Sequence, residues 1–128
     1  MSTLFDLSTR SLEKSMDLYL TRHNVIADNI ANAETPYYKA RQVDFESELQ
    51  RAVAAEEAGL GGATGIDSVK ANITQDLESE MGQDLNSVDM DREMAKMTKN
   101  DVQYTAASQM ISKKFALLKY AISGGTDR

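Results

Sequence analysis

The sequence predicts a mainly α-helical protein: two long terminal helices with heptad seams, paired as a coiled-coil-like hairpin, a short third helix, and a flexible, Gly-rich and acidic middle segment. Three observations carry this reading. Residues 12–33 place Leu12, Met16, Tyr19, His23, Ile26, Ile30 and Ala33 at alternating spacings of 4 and 3, the signature of a helix with a coiled-coil seam. Met90, Met94, Met97, Asp101, Tyr104, Ser108, Ile111, Phe115, Leu118 and Ile122 repeat the pattern near the other end. Between them Gly59, Gly61, Gly62 and Gly65 precede a polar run with Asp76, Glu78, Glu80 and Asp84, a composition that loses much entropy on ordering and has little apolar area to bury.

Taken in order, Asp6 or Ser8 is placed to cap a first helix over about 6–33. Pro36 disfavours helical geometry at the residue before it and so ends that helix. Tyr37 to Val43 reads as extended, and Asp44-Phe45-Glu46 as a cap leading into a short helix with Phe45, Leu49 and Val53 on one face. Val69 to Ile73 is the one strand-like stretch of the middle. The last helix begins after Asp89, with Asp91 and Glu93 in its first turn and Lys113, Lys114 and Lys119 toward its end, which suits the helix dipole. Gly124-Gly125 provides the stop. The chain thus divides into 1–58, with the first helix, the turn and the short helix; 59–88, linker-like; and 89–128, the second seam, all in one domain.

At 128 residues one domain is the default. The absence of Cys excludes a disulfide framework, a thiolate metal site and a cysteine nucleophile. One His builds no multi-histidine metal centre. With 14 Lys and Arg against 20 Asp and Glu, the formal charge is −6, which disfavours binding to phosphate backbones. Acidity is concentrated: residues 1–50 carry 8 acids and 5 bases, 51–88 carry 7 and 2, and 89–128 carry 5 and 7. No run approaches the roughly 20 apolar residues that span a bilayer, and the N-terminus lacks the basic-then-apolar pattern of a cleaved signal.

Motifs for chemistry are sparse. The glycine cluster lacks the Lys-Ser/Thr ending of a phosphate loop. Asn72-Ile73-Thr74 fits a glycosylation triplet of a kind common by chance. His23 sits on the first seam, where a hydrogen-bonded interface role outweighs catalysis. Met90, Met94 and Met97 read first as packing and second as an adaptable interface, because flexible thioethers fit irregular partners. Asp101 and Ser108 interrupt the second seam with polar groups that fix register or partner choice at some cost in stability. No catalytic, cofactor-binding or metal-binding residue emerges, no cofactor is expected, and an enzyme is not. Paired seams with free flanks suit assembly, and a soluble helical adaptor that binds another helix without polymerising is the alternative.

The stretch Asn29-Ile30-Ala31-Asn32-Ala33-Glu34-Thr35-Pro36-Tyr37-Tyr38-Lys39-Ala40, placed just after a heptad helix, resembles the N-terminal signature of bacterial flagellar rod and hook proteins. The helix beginning after Asn86-Ser87-Val88-Asp89 resembles that family's C-terminal partner helix, and Lys114 to Ile122 resembles the ending of its proximal-rod, FlgB-type branch. Residues 4–55 and 86–124 carry the likeness. Two positions depart from the pattern: Tyr37 follows Thr-Pro, and Leu85 precedes Asn86, where the family usually has Gly. The resemblance implies a structural subunit of the flagellar basal body, exported through the flagellar type III apparatus without a cleaved signal and polymerised by its helices into the proximal rod in the periplasm. Implied partners are copies of itself, other proximal rod proteins, the rod adaptor FliE, the membrane-ring protein at the rod base and the export apparatus. Neither nucleic acid nor a small-molecule substrate is implied. The motif residues are Asn29, Ile30, Ala31, Asn32, Ala33, Thr35 and Pro36. The pairing or assembly residues are Leu12, Met16, Tyr19, His23, Ile26, Ile30, Met90, Met94, Met97, Tyr104, Ile111, Phe115, Leu118 and Ile122.

Overall fold

A computed structural model of the chain describes residues 2–62 and 65–124. Its elements are α1 (Ser2–Ala31), β1 (Arg41–Asp44), α2 (Glu46–Glu57), a 3-10 turn (Ile66–Ser68), β2 (Asn72–Gln75) and α3 (Met90–Ile122). At about 1.5 Å per residue, α1 and α3 are rods about 45 and 50 Å long. The first helix starts earlier than Asp6 or Ser8, which lie inside it, because Leu7 is already buried against the core. α3 starts where expected, after Asp89, whose side chain caps it by accepting the Arg92 amide at 3.2 Å. Gly124 adopts φ +68 just beyond α3, the left-handed geometry that ends helices. Gly125, the other half of the expected stop, lies outside the described residues.

Three cross-links set the direction of the helix pair. Lys114 donates to the Ser8 hydroxyl, His23 Nδ1 lies 3.0 Å from the Asp101 carboxylate, and Asn29 meets Glu93. Partner numbers rise on α1 as they fall on α3, so the helices run antiparallel. The C-terminal end of α3 therefore lies beside the start of α1.

The apolar core lies between α1 and the middle of the chain. Leu7, Leu18 and Val25 of α1 pack with Val43, Phe45, Leu49, Ala52, Ile66 and Val69. Tyr19 meets Phe45 edge-on with ring centroids 5.4 Å apart, and the Arg22 guanidinium lies 4.5 Å from the Phe45 centroid. Arg22 also donates to the Val43 carbonyl at 2.9 Å and to Glu46 at 2.5 Å, tying α1 to the β1–α2 junction. The two strands pair antiparallel, with Val43 opposite Ile73. β2 begins three residues later than the Val69–Ile73 stretch suggests, because Val69 turns inward and is fully buried.

The middle, expected to be linker-like, thus has an anchored half. Ile66 and Val69 are 0% and 1% exposed. Arg10 of α1 holds Glu56 at 2.9 Å and Asp67 at 2.7 Å, and Glu56 accepts the Ile66 amide at 2.8 Å. A Cβ at Gly65 would come within 2.6 Å of that Glu56 oxygen, so a larger residue there would have to push the Glu56 carboxylate away from the Ile66 amide. Burying one Ile side chain contributes roughly 1.5–3 kcal/mol, enough to offset part of the ordering entropy of a short loop. Ile66→Ala should therefore destabilise the chain by about 3 kcal/mol in denaturant unfolding. A loss below about 0.5 kcal/mol, as for an exposed site, would contradict this anchoring.

Candidate assembly interface

The motif turn folds around one buried side chain. Asn29, fully buried at the end of α1, donates from Nδ2 to the Arg41 carbonyl at 2.7 Å and to Glu93 Oε2 at 2.9 Å. Its Oδ1 accepts the Arg41 amide at 3.0 Å and the Tyr38 hydroxyl at 3.2 Å. Glu93, also fully buried, accepts Lys96 at 3.1 Å, and Lys96 donates to Asp76 at 2.6 Å. Arg92 bridges Asp76 at 3.3 Å and Glu78 at 2.6 Å. A buried carboxylate is tolerated only when its acceptors are filled, and here donors arrive from α1 and α3.

The second half of the likeness, Asn86 to Asp89, closes on the first. Asn86 Nδ2 donates to the carbonyls of Asn32 and Thr35 at 2.8 and 2.7 Å, satisfying backbone groups past the end of α1. Ser87 binds the extended segment on both sides: its amide reaches the Tyr38 carbonyl at 3.0 Å, and its hydroxyl accepts the Ala40 amide at 2.9 Å. Within the turn, Asn32 accepts the Thr35 hydroxyl at 3.1 Å. Ile30 and Ala33 are half-buried, and Ala31, Thr35 and Pro36 are exposed. The two departures from the family pattern, Tyr37 and Leu85, are the two non-glycine residues at positive φ among the described residues, +65 and +61. The turn therefore keeps the glycine geometry without glycine, at about 1–2 kcal/mol of backbone strain per residue. Tyr37 is fixed there by its amide, 3.0 Å from the Asp84 carbonyl.

The seam residues divide. On α1, Ile26 is buried and Leu12, Met16, Tyr19, His23 and Ile30 are half-buried. On α3 only Met97 and Ile111 are half-buried, while Met90, Met94, Tyr104, Phe115, Leu118 and Ile122 are exposed. The face that α3 buries is instead Glu93, Asn100 and Ala107, seven residues apart and none of them large and apolar. Asn100 donates to the Tyr19 carbonyl at 2.8 Å, and its Oδ1 is buried without a partner. That face keeps the heptad interval but carries it on a carboxylate, an amide and a methyl, so apolar spacing does not reveal it. The apolar side chains of α3 beyond Ile111 are left outward. Phe115 is 50%, Leu117 67% and Ile122 78% exposed, and contiguous exposed apolar surface marks a binding face.

No group of three or more potential metal ligands is assembled among the described residues. No described helix is long and apolar enough to cross a membrane. What the arrangement offers is a rigid, acid-sensitive junction and a bare helix face. Burial alone pushes the Asp76 carboxyl up, but hydrogen bonds from Lys96 and the Glu78 amide, with the charges of Lys96 and Arg92, outweigh it and hold it below its ordinary value. Burial likewise raises Glu46, and hydrogen bonds from Arg22 and the Glu46 and Phe45 amides, with the Arg22 charge, bring it lower.

Carboxylates held low in the folded state contribute stability that is full above their unfolded pKa and is lost as pH falls through the folded one. The melting temperature should stay level down to about pH 5 and drop below about pH 4. Asp76→Asn should be less stable at neutral pH with a shallower acid drop. An acid limb unchanged in Asp76→Asn would contradict the role of this carboxylate.

No protein-family model matches the chain. Curated relatives do, over nearly its whole length. A flagellar basal body rod protein FlgB of Bacillus subtilis is 30% identical over 127 aligned positions, covering 96% of this chain and 98% of the relative. One of Borrelia hermsii is 32% identical over 132 aligned positions, covering 93% and 98%. One of Cereibacter sphaeroides is 35% identical over 109, covering 81% and 84%. With the motif turn locked to the start of the C-terminal helix and identity running end to end, the chain belongs to the FlgB family of flagellar basal body rod proteins.

Proposed function

We propose that the chain is a structural subunit of the proximal rod, which polymerises through its terminal helices in the periplasm and passes torque along the rod. The observation that carries this reading is the outward apolar face of α3 from Met110 to Ile122. A helix with only one neighbour gains little burial and depends on further packing for its stability, and that packing is what a helical tube of subunits supplies. Contacts in such a tube join one surface to a different surface of the neighbour, and these build filaments when the rotation does not close. The polar junction at Asn29 and Glu93 keeps the hairpin stiff, as a subunit bearing torque requires.

Other proximal rod proteins, the rod adaptor FliE and the membrane-ring protein are the expected neighbours at the rod base. Delivery is through the flagellar type III export apparatus without a cleaved signal. A chain whose α3 is half bare fits passage as a loosely packed polypeptide followed by completion on assembly.

Leu118→Asp places a charge on the bare face while leaving the core untouched. The variant should unfold within about 0.5 kcal/mol of the parent, as exposed substitutions do, yet be missing from purified basal bodies. Normal incorporation of a Leu118→Asp chain would count against this face as the assembly surface.

A further inference from the structure

The two-stranded sheet has one edge closed and one open. Asp76 donates its amide to the Ala40 carbonyl at 2.8 Å, and the strands pair antiparallel with Thr74 opposite Gln42 and Asn72 opposite Asp44. Backbone groups alternate in direction along such a pair, so Asn72 and Thr74 aim theirs at β1 while Ile73 and Gln75 aim theirs away. On β1 the groups in the same phase, aimed away from β2, are filled. The Arg41 amide donates to Asn29 Oδ1 and its carbonyl accepts Asn29 Nδ2, and the Val43 carbonyl accepts Arg22 at 2.9 Å. On β2 no described residue bonds to the outward amides and carbonyls of Ile73 and Gln75.

Nothing guards that outer edge. Strand edges are ordinarily protected by a charge, a Pro or a bulge, and Ala71 to Gln75 holds no charged residue, no Pro and no Gly. All four residues of β2 are exposed, and its sheet has no third strand among the described residues. The edge also has two distinct faces. Val43, across from Ile73, lies in the core and Ala71 packs against that core, so Ala71, Ile73 and Gln75 share the core side, where Ile73 is 44% exposed at the rim. Asn72 and Thr74 take the other side. Charges of opposite sign flank this neutral stretch: exposed Lys70 precedes it, and Asp76, Glu78 and Glu80 follow it.

We propose that the outer edge of β2 takes up an extended segment of another protein as a third, antiparallel strand. The segment is apolar and β-branched where it lies beside Ala71, Ile73 and Gln75, and polar where it lies beside Asn72 and Thr74. It carries a base at its N-terminal end, near the acids that follow β2, and an acid at its C-terminal end, beside Lys70. In strand addition the main-chain bonds supply affinity and alternate side chains supply specificity, while the end charges set direction. An antiparallel strand continues the pairing of β1 with β2 and makes the straighter hydrogen bonds. The contact uses no residue of α3, so it goes beyond the assembly face proposed above.

The probe is the peptide acetyl-Lys-Val-Thr-Ile-Thr-Val-Glu-amide, titrated into the isotope-labelled full-length chain and followed by amide chemical shifts. Saturable shifts should centre on Ile73 and Gln75. N-methylation of the central Ile, whose amide points at β2, should weaken binding at least about fivefold, as loss of a main-chain bond requires, whereas N-methylation of the Thr after it, whose amide points away, should change it less than about twofold. Exchanging the terminal Lys and Glu should also weaken it. Gln75→Pro removes an outward amide and leaves the bonds to β1 in place, as Pro on an edge strand allows. That variant should melt within a few degrees of the parent and lose the peptide. No saturable shift at β2, equal loss from the two N-methylations, indifference to the charge exchange, or full binding to Gln75→Pro overturns the proposal. A dimer of the chain alone that Gln75→Pro dissolves places a second copy on the edge and overturns it as well.

Discussion

The hydrogen bond between Asn29 and Glu93, 2.9 Å long and fully buried, is the constraint on which the rest of the architecture depends. It fixes where α1 stops relative to where α3 starts. The same amide pins Arg41 and so sets the beginning of β1, whose register carries β2 and the buried Asp76. Neither partner could be lost cheaply: a buried carboxylate deprived of a donor costs about 3–5 kcal/mol. An Asn-rich turn after a heptad helix is thus a physical requirement, since only a side chain with both donor and acceptor answers the backbone of Arg41 and the carboxylate of Glu93 together.

From that fixed end the helix pair runs toward the termini with decreasing support. The first half of α3 has Glu93, Asn100 and Ala107 set against α1, and the α1 face that holds the core is occupied by α2, the 3-10 turn and the sheet. Beyond Ile111 every apolar residue of α3 is exposed. The molecule is stiff at the turn and bare at the other end, a distribution suited to a subunit completed by its neighbours.

Much of this was legible in the sequence. Both long helices, the short helix after Asp44, the start of the last helix after Asp89 and the motif from Asn29 to Pro36 follow from periodicity, turn chemistry and likeness. The two departures at Tyr37 and Leu85 coincide with the non-glycine residues at positive φ among the described residues. Three things were not legible. Ile66 and Val69 are isolated apolar residues in a polar stretch, without a period to announce that they face inward. The face of α3 against α1 is built from Glu93, Asn100 and Ala107, and a pattern search that equates inside with apolar passes over it. The Asp76–Lys96–Glu93 chain joins residues up to 20 apart in sequence through pairings that no local signal encodes.

The central claim is that the second half of α3 finds its packing only in another subunit. Residue-resolved amide exchange on the purified chain in dilute solution tests it most directly, because opening free energies differ between packed and unsupported segments of one helix. The account predicts slow exchange for α1 from Leu7 and for α3 from Glu93 to Ala107, with fast exchange from Met110 to Ile122. Protection of Met110–Ile122 equal to that of Glu93–Ala107 would contradict it.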